Sequence, residues 1–336
     1  MIGIVSVGAY VPRYRLSGKL LGGVWGATGG GGERAVANYD EDSLTMASEA
    51  ALNALEGQDR RRVGACFLAS TTPPYLEKSN ATILATVADL GPEVLTADVG
   101  GSLRCGTTAL RLALDMVKAG SVPQALVSTA DIRPVAPGTP EETLLGDGAG
   151  AVLVGGEDLI ATFEGGYGTS REFTDVWRGQ GDRYLNILPD MTFVRAHGFD
   201  KFIPEAVEGA LKATGRKRED IAKVVLYAPD PRTHAALLKQ LKFADSAMPK
   251  EPVIGRAGNT GSASCLLGLA AALDECRPGD QVLVVSYGSG AEALLFQCTD
   301  RLASRPIHRP VSAQLAAGRP LAQYGKYLNF RRHVET

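Results

Sequence analysis

The chain has 336 residues, 45% of them hydrophobic and 21% charged, with a formal net charge of −2. That is the composition of a globular protein with a large buried core, long enough for two domains or one duplicated unit. The near-neutral balance offers no general field for nucleic acid or an anionic membrane, and no apolar run reaches the length of a membrane span. The five cysteines, Cys66, Cys105, Cys265, Cys276 and Cys298, are widely spaced and form no C-x-x-C pair. They read as reduced thiols of a cytoplasmic protein, not as disulfides or a zinc site. Four scattered histidines, His197, His234, His308 and His333, give no metal cluster either.

In chain order, MIGIVSVGAYVP lacks a basic leader region and reads as a first strand over Ile2–Val7. Gly22 to Gly32 holds seven glycines and predicts a loop around Trp25 in place of a regular element. Spacing then predicts helix Leu44–Leu55, strand Ala65–Ser70, helices Ala81–Leu90 and Thr107–Ala119, and strands Ala125–Thr129 and Ala149–Val154. Beyond them come helix Phe202–Thr214, strand Lys223–Ala228, helices Thr233–Leu241 and Ala263–Glu275, and strands Gln281–Tyr287 and Ala293–Gln297. Apolar β-branched strands alternating with helices define an α/β protein with buried parallel strands.

The two halves repeat each other. Strand Ala65–Ser70 is followed by Thr72-Pro73-Pro74, and strand Lys223–Ala228 by Pro229-Asp230-Pro231. GGSLRCGTTALRLALDMV is matched by AGNTGSASCLLGLAAALDE, QALVSTAD by QVLVVSYG, and GDGAGAVLV by YGSGAEALLF. Matches in one order imply an internal duplication.

A duplicated unit of this kind resembles the thiolase superfamily. Within it the chain is similar to the 3-hydroxy-3-methylglutaryl-CoA synthase-like group, close to ketoacyl synthase III. The resemblance rests on GIVSVGAYVPRYR, DEDSLTMASEAALNAL, LGDGAGAVLVG, GNTGSAS and PGDQVLVVSYGSGAEALLF, and runs from Ile2 to about Asp300. It implies a duplicated five-layered αβαβα arrangement of two βαβαβαββ halves. Residues 1–160 would form the first half and 161–300 the second, which includes an Arg-, Asp- and aromatic-rich excursion at 164–199. A basic tail follows at 301–336.

The implied chemistry is carbon–carbon condensation or acyl transfer on coenzyme A thioesters. In such proteins a cysteine at a helix N-terminus takes the acyl group, a histidine and an asparagine handle the incoming thioester, and a glutamate moves protons. Carried over by position, the cysteine falls on Leu103, the histidine on Tyr227, the glutamate on Thr71 and the asparagine on Asn259. The oxyanion turn falls on Gly288, Ser289 and Gly290. A leucine forms no thioester. Cys105, two residues on, is the alternative nucleophile, although that shift breaks the match at Gly106 and Ala109-Leu110 and turns the side chain by roughly 200°. Cys265 reads as core and His234 as a packing histidine, while His197 in its connecting segment is a candidate for a cleft wall.

The reading favoured by these residues is a hydroxymethylglutaryl-CoA synthase-like subunit of an acyl-CoA thiolase or acyltransferase complex, without the acyl-cysteine step. The alternatives are an active condensing enzyme or acyltransferase working without a covalent intermediate, and a scaffold without enzymatic activity. No covalent cofactor or metal is implied, and acyl-CoA is the substrate or ligand. The arginines of 164–199 would meet coenzyme A phosphates or a partner chain. Expected partners are a second copy or a thiolase, paired through an exposed edge at Gln124–Thr129, and a small zinc-ribbon/OB-fold acyl-CoA-binding protein as a separate chain docking at the tail. No nucleic acid and no membrane are expected.

Overall fold

A computed structural model describes residues 1–26, 32–249, 252–305 and 309–333. The first half runs β1 (Gly3–Tyr10), β2 (Tyr14–Ser17), α1 (Gly18–Trp25), β3 (Glu33–Val36), α2 (Ser43–Ala54), β4 (Val63–Ala69), α3 (Asn80–Val87), β5 (Leu95–Val99), α4 (Cys105–Lys118), β6 (Gln124–Asp131) and β7 (Gly148–Gly155). The second half runs β8 (Ala161–Ser170), β9 (Val176–Trp177), β10 (Asn186–Ile187), α5 (Met191–Val194), α6 (Asp200–Thr214), β11 (Ile221–Leu226), α7 (Pro231–Leu241), α8 (Val253–Ala257), α9 (Ser264–Glu275), β12 (Gln281–Tyr287) and β13 (Gly290–Cys298). The tail adds α10 (Val311–Ala316), β14 (Arg319–Pro320) and α11 (Tyr324–Phe330).

Among the described residues the main sheet has strand order β11-β12-β13-β8-β1-β7-β6-β4-β5. It divides into two mirrored sets at the short β1–β8 contact, where only Gly3 and Ile4 pair with Thr162 and Ala161. Strands β6, β7 and β12 are buried at every residue, because helices cover both faces. Helix α2 packs on β1 and β7, α6 on β8 and β13, and α4 and α9 lie between the two sets of strands. This is the five-layered αβαβα arrangement. Local chemistry starts its helices: at α2, the Asp42 carboxylate accepts from the Thr45 N–H at 2.7 Å while Thr45 Oγ1 accepts from the Asp42 N–H at 2.7 Å.

The duplication is visible in reciprocal hydrogen bonds at the middle layer. Thr129, on β6 of the first half, shares its hydroxyl with Ser262 at the start of α9, 3.1 Å apart. Ser286, the matching residue of β12, shares its hydroxyl with Thr107 of α4 at 2.6 Å. Where the two helix starts cross, a Cβ on Gly106 would lie 2.8 Å from the Ser262 carbonyl oxygen, so only glycine fits. Leu103 lies two residues before Cys105, the first residue of α4.

The structure corrects several expectations. Gly22, Gly23 and Trp25 belong to a helix, capped where Ser17 Oγ accepts from the Leu20 N–H and folded because Leu21 finds a buried site; residues 27–31 of the glycine run lie outside the described residues. Among the described residues the second half gives the main sheet only β8, β11, β12 and β13, with no strand beside β11 to match β5. The excursion begins later than 164, because β8 carries on to Ser170 as a partner of β13 despite its glycines.

Gln124–Thr129 is not an edge. β6 pairs with β4 on one side and β7 on the other, and the exposed edge is β5, where Leu95 is 49% exposed. The parallel β4–β5 crossover inserts β5 outside β4, which moves the unpaired row one element earlier in the chain.

The tail packs on its own chain. Arg319 and Pro320 pair with β2, and Tyr324 and Tyr327 are buried. Trp25 meets Tyr324 edge-on at 5.8 Å, and Arg331 forms an ion pair with buried Asp147. Its aromatic residues are therefore occupied at home and offer no free docking stripe; Pro306 and His308 lie outside the described residues.

Candidate active site

The mouths of the two central helices are treated differently by the strands that face them. At the second, the terminal residue of β6 is Asp131, wholly buried, whose carboxylate accepts from the Ser262 N–H at 2.8 Å. At the first, the matching position after β12 is Gly288, and a Cβ there would lie 2.9 Å from the Leu103 nitrogen and 3.0 Å from that of Arg104. The positive end of one helix is filled by the protein's own carboxylate, whereas a glycine at φ +148° leaves the other clear. The turn Gly288–Gly290 closes on it, with Ser289 at φ 47°. One amide of that turn is already engaged, since the Gly288 N–H donates to the Gly290 carbonyl at 2.9 Å.

Leu103 is half-buried at this mouth and packs against the main core. Cys105 is the first residue of α4, points inward and is 2% exposed. Burial, with the negative charge of Asp131 beside it, pushes its thiol well above the ordinary range, and a hydrogen bond with Ser262 offsets this only in part. Cys265 is similar: burial pushes its thiol up to about 12, and its Sγ donates to the Val285 carbonyl. Native protein at pH 8 should therefore leave Cys105 unalkylated by iodoacetamide over hours, while denatured protein reacts within minutes. Peptide mapping would show this; prompt labelling of Cys105 in the folded chain contradicts it.

Thr71 is held by Asp131. The carboxylate accepts from the Thr71 N–H at 2.7 Å and from Thr71 Oγ1 at 3.0 Å, and also from Ser70 Oγ at 2.9 Å and Thr72 Oγ1 at 3.0 Å. Asn259 donates from Nδ2 to Tyr227 Oη at 3.2 Å and accepts the Gly261 N–H on Oδ1 at 2.9 Å. Its backbone is bridged to the loop before β7, through Leu144 and Gly146. The Tyr227 ring lies 6.1 Å from Tyr287 with planes 11° apart, and Tyr287 Oη donates to Asp175 at 3.0 Å. Burial raises the Tyr227 phenol above its ordinary value, against the pull of nearby Arg133. Burial likewise raises the Asp175 carboxyl, and the Tyr287 hydrogen bond opposes it.

Tyr227 and Asn259 form the floor of a largely apolar cavity of about 220 Å³, whose walls include Leu144, Val176, Leu188 and Phe199. A wider groove of about 550 Å³ shares Met191 and Asp230 with it and carries Arg195 and Arg232. The structure thus joins Thr71, Cys105, Tyr227, Asn259 and the Gly288 turn through Asp131, Ser262 and Tyr287. It does not bring in His197, which is exposed and packs on Phe193 at 4.4 Å, nor does His234 face this cavity. Two excursion arginines are engaged inside the chain: Arg171 with Glu205 at 2.8 Å and Arg183 with the Arg332 carbonyl at 2.9 Å. Among the described residues no group of three His, Cys, Asp or Glu could hold a metal, and no helix is long and apolar enough to cross a membrane.

Sequence reasoning missed Asp131, Arg133, Asp175 and Tyr287. For Asp131 a signal existed, a carboxylate ending the otherwise apolar strand QALVSTAD at its C-terminal edge, where such folds place their sites.

The duplicated five-layered core defines a thiolase-fold protein. The model of the 3-oxoacyl-[acyl-carrier-protein] synthase III C-terminal region matches residues 211–297. Hydroxymethylglutaryl-CoA synthase of Methanopyrus kandleri is 33% identical over 345 residues, covering 99% of this chain and 98% of that protein. The synthase of Methanocaldococcus jannaschii is 31% identical over 346 residues, with all of both chains covered. The chain belongs to the hydroxymethylglutaryl-CoA synthase family.

Solved structures agree on the fold. MvaS in complex with 3-hydroxy-3-methylglutaryl coenzyme A superposes with a TM-score of 0.82 at 22% identity, over 98% of this chain and 91% of that one. A 3-oxoacyl-[acyl-carrier-protein] synthase III from Aquifex aeolicus gives 0.79 at 22% identity, over 88% and 100%.

Proposed function

We propose that this family member binds acyl-CoA thioesters and serves carbon–carbon condensation, cleavage or acyl transfer without forming an acyl-cysteine. The observation that carries the reading is Leu103 at the open helix mouth, facing the Gly288 turn, with the nearest thiol buried behind it on Cys105. A thioester carbonyl placed there would meet backbone amides but no nucleophile. The cavity floored by Tyr227 and Asn259 suits an acyl group, and Arg232, on an outer groove where Arg195 is already paired with Asp200 at 3.4 Å, suits the phosphates of coenzyme A. On this reading the chain is a cytoplasmic subunit whose covalent chemistry belongs to a thiolase partner, paired along the β5 edge, with a zinc-ribbon/OB-fold protein presenting the acyl-CoA.

The test is intact-protein mass spectrometry after incubation with acetyl-CoA and acetoacetyl-CoA, together with an assay for hydroxymethylglutaryl-CoA. The purified chain should gain no acetyl adduct and form no product. Stoichiometric acylation, mapped to any residue, overturns the reading.

A second reading is favoured by identity above 30% to hydroxymethylglutaryl-CoA synthases over their whole length. It is an active condensing enzyme in which Tyr227 donates a hydrogen bond to a substrate carbonyl and Asn259 orients it. Product formation with no adduct would select it.

A further inference from the structure

Helix α9 and strand β13 begin at the site and meet again at their far ends. The helix starts beside Ser262 and is capped by Cys276; the strand starts at Gly290 and ends on Cys298. The turn from α9 into β12, with Gly279 at φ +90°, folds back on the end of the strand. There the Gly279 N–H donates to the Cys298 carbonyl at 2.9 Å, and the Cys298 N–H donates to the Asp280 carbonyl at 2.8 Å. The side chains close the remaining gap, and the Cys276 thiol donates a hydrogen bond to the Cys298 sulfur. Cys298 is 3% exposed, whereas Cys276 is only half-buried. Lys223 and Arg305 bring positive charge to the pair, each tempered by its own carboxylate, Glu275 at 2.7 Å and Asp274 at 2.6 Å. Asp280 adds a negative charge.

No metal accounts for the pair, because among the described residues no third ligand joins it. Cys105 and Cys265 face oxygen partners instead, Ser262 and the Val285 carbonyl. Thiols already in hydrogen-bond contact need only a small side-chain rotation to reach disulfide geometry. We propose that Cys276 and Cys298 form a redox site, a dithiol that a peroxide closes to a disulfide and a small thiol reopens. The Cys276 thiol first loses its proton to water, and its thiolate attacks one peroxide oxygen. The O–O bond breaks, the departing hydroxide takes up a proton, and a sulfenic acid remains on Cys276. The Cys298 sulfur then attacks the Cys276 sulfur; the S–S bond forms as the S–O bond breaks, and hydroxide leaves as water with the Cys298 proton. The two sulfurs give up two electrons and two protons, and one peroxide becomes two waters. The hydrogen bond to Cys298, and then burial, push the Cys276 thiol well above its ordinary range, so the first step is slow at neutral pH. Both sulfurs lie at the opposite ends of their elements from Ser262 and Gly290, so the tie changes stability and leaves the acyl cavity as it is.

The experiment treats the full chain with hydrogen peroxide, blocks remaining thiols with N-ethylmaleimide in denaturant, and digests without reductant using a protease that cuts before aspartate. Cuts at Asp274, Asp280 and Asp300 place Cys276 in peptide 274–279 and Cys298 in peptide 280–299, both separate from Cys265. The two peptides should be recovered joined in most molecules, and apart again after dithiothreitol. Oxidation should raise the melting temperature by about 4 °C. Cys276→Ser, whose own melting curve reports whether it is folded, should show neither the joined peptides nor the rise. Peptides that stay apart in folded native protein, with Cys276 free or carried on to sulfinic acid, overturn the proposal. So does joining that occurs only when peroxide is added in denaturant, or a rise that persists in Cys276→Ser.

Discussion

Asp131→Ala should lower the unfolding free energy by about 4 kcal/mol, among the largest effects of any single substitution in this chain. The carboxylate is wholly buried and accepts from Ser70 Oγ, Thr71 N, Thr71 Oγ1, Thr72 Oγ1 and Ser262 N, all within 3.0 Å. The three hydroxyls can turn to other acceptors, but the two backbone N–H groups cannot. Each buried N–H left without an acceptor costs about 1–3 kcal/mol, and the negative charge is also lost from the start of α9. Asp131→Asn should recover little, since it replaces one acceptor oxygen with an NH2 group that faces donors. Urea unfolding of both variants measures this from the midpoint, provided the slope is unchanged. A loss below about 1.5 kcal/mol in Asp131→Ala would mean that the N–H groups reach water, and that Asp131 does not hold the Thr71 loop to the start of α9.

Much of the architecture was legible because period and burial agree. Strand Gln281–Tyr287 is buried on both faces and reads as an unbroken apolar run, so its observed bounds are those of the pattern. Strands that depend on partners were not legible. β8 carries Gly165, Gly166 and Gly168, which weaken any local strand signal. Yet Gly166 must be bare, because a Cβ there would lie 2.7 Å from the Ala293 carbonyl oxygen. The edge was misplaced for a related reason: order within a sheet is a tertiary property, and β5, with its LTADV sequence, is only half covered. The start of α1 was hidden by glycines that follow its well-capped first turn.

The site divides along the same line. Positions set by the repeated frame were readable, because Gly106 and Gly288 are required by backbone approach and leave a mark in the sequence. Side chains that meet only through the tertiary fold left none. Tyr287 and Asp175 are 112 residues apart, and nothing in either neighbourhood announces the 3.0 Å hydrogen bond between them. Arg133 follows Asp131 in a short apolar stretch where sequence alone gives no sign that its charge is enclosed. The tail misled for the opposite reason: arginine interleaved with aromatics looks like a binding stripe, whereas here the rings fill a satellite core with Leu16, Leu21 and Val36.

Arg331→Met should cost about 3–4 kcal/mol and should also weaken acyl-CoA binding. Arg331 Nη2 lies 2.8 Å from Asp147 Oδ2, and the two side chains are only 8% and 1% exposed. Asp147 Oδ2 also accepts the Ala37 N–H at 2.6 Å, so without Arg331 a buried carboxylate keeps a single neutral donor. Removing one partner of a buried pair costs about 3–5 kcal/mol, mostly because the other charge remains uncompensated. Methionine keeps some of the packing on Tyr327, which the guanidinium overlies at 5.5 Å, hence the lower part of that range. The effect on binding follows from the neighbouring residues: the Gly146 N–H donates to the Asn259 carbonyl at 3.0 Å, and the Asn259 N–H donates to Leu144 at 2.8 Å. The tail thus holds the loop that places Asn259 on the cavity floor. In the double variant Arg331→Met/Asp147→Leu the loss should be smaller than the sum of the two single losses, by more than about 1 kcal/mol, because the stranded charge is gone. Additive losses would mean that water already screens the pair, and that the tail is not a support of the site.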